Sequence, residues 1–126
     1  MSLFDFELEE LKNRLLTMAS HTEVAVKQAV NALVTRDYDL ALQVRTDDAV
    51  IDELEVEVDE IALRLLAKAP LARDLRLIAV TMKISQNLER VGDEASKIAK
   101  RARDLSVCHA LPPSFESAGA EASAPT

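Results

Sequence analysis

Glu89 and Asp93 stand four residues apart in the run Leu88-Glu89-Arg90-Val91-Gly92-Asp93. On a helix that spacing projects two carboxylates from one side, about one turn apart. With no base in the column between them, they repel by a few tenths of a kcal/mol on an isolated helix. A nearby cation or a bound metal usually offsets such repulsion. Upstream, Asp48, Asp52, Glu55 and Asp59 form a second acidic column at helical spacing. If a turn is centred near Ala69, Asp48 and Asp52 lie 21 and 17 residues before it, and Glu89 and Asp93 lie 20 and 24 after it. The two pairs then sit at nearly the same height on neighbouring helices, offset by about 4–6 Å along the axis. Up to four carboxylates converge if the faces agree. Asp48, Asp52, Glu89 and Asp93 are therefore the candidate metal ligands, an all-oxygen set suited to magnesium, calcium or manganese, and also to iron.

Two features bear on that reading. Acid pairs four apart also occur at Asp5 and Glu9, Glu53 and Glu57, and Glu55 and Asp59, and Lys97 follows Asp93 by one turn in the favourable order for a salt bridge. Both suit an ordinary solvated face. Gly92 points the other way, because glycine inside a helix costs about 1 kcal/mol relative to alanine and marks close packing or a need for space. No catalytic signature accompanies the acids. His21 and His109 form no Glu-x-x-His pair, Cys108 has no positioned base, and there is no glycine-rich phosphate loop. The expectation is a protein that is not an enzyme.

The elements that must position these residues are helices. The chain has 126 residues, 48% apolar and only 3% aromatic, with no Trp and with glycine only at 92 and 119. That composition suits one small domain of helices packed through Leu, Ile, Val and Ala. Apolar residues recur at Leu8, Leu11, Leu15, Met18, Ala25, Ala29 and Ala32, giving a first helix from about Phe4 to Val34 whose second half is lean. His21 falls beside that stripe and is read as a boundary residue. Asp37 is a plausible N-cap for a second helix running to about Lys68. Its stripe is Leu40, Val44, Asp47, Ile51, Leu54, Val58, Ile61 and Leu65, with Asp47 at a position that calls for an apolar side chain. Pro70 separates it from a third helix, about Leu71 to Leu105, with a stripe of Ile84, Leu88, Val91, Ala95, Ile98, Ala102 and Leu105. Short connections make neighbours antiparallel. The fold class is all-α, an up-down-up bundle of three helices, each roughly 45 Å long. Residues 1–106 form the bundle, and 107–126, rich in Ala, Ser and Pro, read as a disordered tail or linker.

The net charge of −7 makes nucleic acid and anionic lipid poor partners. A single cysteine excludes an internal disulfide and suits a reducing compartment. The amino terminus lacks a signal peptide's basic region and apolar core. No run approaches the roughly 20 apolar residues of a membrane span. A cytoplasmic location is expected, with the membrane approached only indirectly. Arg73, Arg76 and Arg90 are candidates for contact with acidic partners.

The sequence resembles the PhoU family of phosphate-uptake regulators over about residues 7 to 104. The likeness rests on ELEELKNRLLTMASHTEVAVKQAVNALVTRDYDLALQV, on DDAVIDELEVEVDEIALRLLAKAP, and most specifically on LARDLRLIAVTMKISQNLERVGDEASKIAKRA. The resemblance implies three-helix units, usually two in tandem, and an acidic E/D-x-x-x-D motif associated with metal ions. That motif corresponds to Asp48 through Asp52 and to Glu89 through Asp93. It also implies a regulatory adaptor that restrains phosphate import and starvation signalling through contact with the transporter ATPase and the sensor kinase. Two departures are visible: the turn AKAPLARDLR is one residue short before its proline, and only one three-helix unit is present. A homo-oligomer, with two chains burying Val26, Val30, Leu33 and Leu77, is therefore expected. The alternative is a plain helical oligomerisation module with no ligand.

Overall fold

A Ser2–Asp5 capping box opens the first helix. Ser2 Oγ accepts from the Asp5 amide at 3.1 Å, and Asp5 Oδ2 accepts in return from the Ser2 amide at 3.4 Å. The computed structural model describes residues 2–69 and 71–109, with the backbone alone at 108 and 109. Helix α1 spans Leu3–Thr35, α2 spans Tyr38–Leu66 and α3 spans Ala72–His109. Among the described residues there is no strand. The all-α bundle expected from the periodicity is the fold found, and each helix packs against the other two. Pro70 and residues 110–126, most of the expected tail, lie outside the described residues, and α3 continues past the expected end of the bundle at 106.

Arg36 ends α1 in the left-handed conformation, at φ 59 and ψ 40, and its amide bonds the Ala32 carbonyl. Ser106 Oγ donates to the Arg36 carbonyl at 2.8 Å, fastening the far end of α3 to this turn. Asp37 caps α2 as expected, its Oδ1 accepting from the Leu40 amide at 3.0 Å. At the opposite end Glu7 of α1 meets Lys68 at 2.7 Å and Arg64 at 3.6 Å. The Lys68 hydrogen bond holds the Glu7 carboxyl below its ordinary value. These contacts establish the up-down-up order: α1 runs parallel to α3 and antiparallel to α2.

The core falls into two halves. Near the α2–α3 turn it is built of larger side chains, Leu11, Val58, Ile61, Leu65 and Ile78. Near the α1–α2 turn Met18, Val44, Ile51 and Leu54 share it with alanines from all three helices. Small side chains let the helices approach closely there. Two expected stripes are corrected. Asp47 is exposed, and α2 instead buries Ala41 and Ala62 beside its larger aliphatics. The stripe of α3 holds in part: Ala95 and Ala102 are buried and Leu88 and Ile98 pack against the core as expected, but Ile84, Val91 and Leu105 are exposed, and Ile78, Thr81, Ser85 and Ala99 are buried beside it. The lean face of α1 accepts the small residues of α3 in preference to its aliphatic ones. Val26 and Leu33, expected to await a second copy, pack against this chain's own core, while Val30 and Leu77 stay exposed.

Candidate metal centre

The acidic columns meet in the α2–α3 groove. Asp48 and Asp52 come from successive turns of α2, and Asp93 comes from α3. One carboxylate oxygen from each lies within 4.8 Å of the others. Asp48 and Asp93 are half-buried and Asp52 is exposed. Glu89, the fourth expected ligand, stands outside that trio. It is joined to the trio through Asp93, one turn away on α3.

Gly92 explains how the groove can be this narrow. It is buried, and a methyl group placed on it would lie 3.2 Å from Ile51 Cδ1, 3.4 Å from Ile51 Cγ2 and 3.6 Å from Asp48 Oδ1. Glycine therefore permits close packing of the two helices at the very turn that carries Asp93. The two reasons for its presence coincide at one contact.

The electrostatics are those of acids short of a counter-charge. Burial raises the Asp48 carboxyl, and the charges of Asp52 and Asp93 raise it further, against a partial offset from Arg45. Asp48 Oδ1 is buried without a hydrogen-bond partner among the described residues. Glu89 is pushed up to about 7, first by burial, then by its hydrogen bond with Asp93 and by the charges of Asp93, Glu55 and Asp52. Lys97, whose spacing would allow a pair with Asp93, bonds Glu94 at 3.3 Å. Among the described residues no lysine or arginine forms an ion pair with Asp48, Asp52, Glu89 or Asp93.

This donor set fits a hard cation. Oxygens sharing one calcium ion at about 2.3–2.6 Å stand at most about 5 Å apart, so the trio needs little movement to ligate together. An orphaned half-buried carboxylate oxygen is the atom such an ion would satisfy. Glu55 and Asp59 continue the column. Burial raises both, and for Glu55 the charges of Asp59, Asp52 and Asp93 add to the effect. Glu55, read from the sequence as part of the column, lies outside the trio but is coupled to it by charge. Its seven-residue spacing from Asp48, which returns it to the same face after two turns, was the available signal. Arg73, Arg76 and Arg90 are exposed and take no part in this cluster. His21 and Asp47 border a separate small cleft between α1 and α2.

Three long helices packed into one bundle, with a carboxylate-lined groove between α2 and α3, define the class as an all-α helical-bundle protein. A model of the PhoU domain matches residues 15–102. The chain belongs to the PhoU family. It is 48% identical over 103 residues to the phosphate-specific transport system accessory protein PhoU homolog of Pseudomonas aeruginosa, covering 81% of this chain and 43% of that protein. It is 39% identical over 100 residues to the corresponding PhoU protein of Escherichia coli K12, covering 79% of this chain and 42% of that one. The crystal structure of PhoU from Pseudomonas aeruginosa superposes with a TM-score of 0.80 at 47% identity, over 82% of this chain and 50% of the crystallised one. The chain thus spans about half the length of the relatives it matches. Among the described residues no helix is long and apolar enough to cross a membrane.

Proposed function

We propose that this chain is a regulatory accessory unit of phosphate uptake and phosphate-starvation signalling, working by protein contact. Its family membership and its relatives' role as accessory proteins of a phosphate-specific transport system support that reading. A phosphate-transporter ATPase and a sensor kinase are the partners this reading names, met at the cytoplasmic side of the membrane. The acidic groove adds a cation-dependent element, and the observation that carries it is the convergence of Asp48, Asp52 and Asp93 within 4.8 Å of one another. Asp48, Asp52 and Asp93 hold the ion, and Glu89 and Glu55 supply further negative charge beside it. A bound divalent or iron cation supplies positive charge there, which changes the groove's field and the affinity of the neighbouring surface for charged partners.

The test is metal content of the purified chain beside an Asp93→Ala variant after equilibration with magnesium, calcium, manganese or ferrous iron. The expected outcome is bound metal in the wild type and a loss of about tenfold or more in affinity in the variant. Equal metal in both places the site elsewhere. No metal in either leaves a plain helical module whose acids serve solubility. Co-purification with the transporter ATPase from phosphate-replete cells tests the contact itself.

A further inference from the structure

Helix α3 carries more apolar residues than its own bundle buries. Leu77, Ile84, Val91, Ile98 and Leu105 repeat at strict intervals of seven residues, one position before the buried column. Ile98 is half-buried at the core margin, while the other four are between 36% and 42% exposed. One residue further back, Arg76, Lys83, Arg90 and Lys97 repeat at the same interval, all four exposed, before the exposed Asp104 closes the column with the opposite charge. Among the described residues only Lys97 of these four has an ion-pair partner, Glu94. A chain of net charge −7 therefore presents one ridge that is apolar along its crest and basic along its flank.

We propose that this ridge docks a helix of another protein that carries an apolar residue at every seventh position and an acidic column beside it. A seven-residue repeat is the period at which one helix meets another along a continuous seam. A flank of four cations, three of them without an ion-pair partner among the described residues, selects the opposite charge and rejects the same one. An antiparallel pairing of the ridge with itself would set the basic columns of two copies against each other. A lipid surface is a poorer match, because the crest has no aromatic anchor and stays partly sunk between helices. The proposal rests on the reading that the chain works by protein contact, and it is independent of the cation site.

The test uses the full chain and two labelled synthetic helical peptides of about four heptads. Each has leucine at every seventh position, and the neighbouring column is glutamate in one and lysine in the other. Fluorescence anisotropy is expected to show the glutamate peptide binding at least about tenfold more tightly. The pair Ile84→Ser and Val91→Ser, exposed positions whose change leaves the helical circular dichroism intact, is expected to remove that binding. Reversing Lys83 and Arg90 to glutamate is expected to invert the preference between peptides. Equal binding of the two peptides, binding unaffected by the serine pair, or absence of binding overturns the proposal. Preferential binding to phosphatidylcholine vesicles with roughly 30% phosphatidylserine overturns it in favour of lipid. A stable dimer dispersed by the serine pair overturns it in favour of a second copy. Cation titration of the serine variant separates the two readings: an intact response with lost peptide binding assigns the defect to the ridge alone.

Discussion

Any cation taken up by the α2–α3 groove, as proposed above, has to compete with protons for its carboxylates. The Glu89 carboxyl moves from 4.5 to about 7 on folding, so the folded chain binds more protons than the unfolded one between those values. Stability from this group is fully present below the ordinary value and is lost as the pH rises through about 7. Asp48, Glu55 and Asp59 are raised as well and act in the same direction. Glu7 is lowered and acts oppositely, contributing above its ordinary value and failing in acid. Without added cation, the melting temperature is therefore expected to be higher near pH 5.5 than near pH 8, and Glu89→Gln to flatten that difference. A profile that rises from 5.5 to 8 in the wild type would show that the groove is not strained by its own charge. Gly92 gives a second residue-scale prediction. Gly92→Val sets two methyl groups against Ile51 and Asp48, and overpacking of this kind costs about 1–3 kcal/mol. Gly92→Ala gains about 1 kcal/mol in helix propensity against a 3.2 Å contact that Ile51 must relieve, and is expected to be near neutral. Denaturant unfolding of the two variants checks the contrast.

At the scale of the element, the register of α3 decides which residues are core. Ile78→Ala removes a fully buried side chain and is expected to cost about 2–5 kcal/mol, whereas Ile84→Ala, at an exposed position, is expected to cost less than about 1. Comparable losses at both would return the core to the stripe read from periodicity. That stripe was legible only in part, for a physical reason. A residue pattern reports which positions are apolar, and α3 is apolar over an arc wider than one bundle needs. The choice of Ser85 and Ala99 over Ile84, Val91 and Leu105 depends on the lean face of α1 that receives them. The helices themselves, the Asp37 cap and the level of the two acidic columns follow from local rules and short connections. Glu89's place beside the trio, and Lys97's turn toward Glu94, depend on rotation about each helix axis, which spacing along one chain leaves open.

At the scale of the molecule, charge is sorted by face. Among the described residues the acids Asp48, Asp52, Glu89 and Asp93 without ion-pair partners line the α2–α3 groove, and Lys83 and Arg90, likewise without ion-pair partners, stand on the outer flank of α3, so the two proposals concern different surfaces. The relatives it matches are about twice its span. All three carboxylates of the trio belong to this chain. The central claim is that this trio binds a hard cation in the folded state. Calorimetric titration of the full chain with manganese and with calcium at pH 8, beside Asp93→Asn, tests it most directly. The account predicts one saturable class of sites in the wild type, weakened at least about tenfold in the variant, and a melting temperature that rises with cation, reflecting about 2.7 kcal/mol of added stability at a hundred times the dissociation constant. Equal heats in both proteins, or no saturable binding by the wild type, would contradict it.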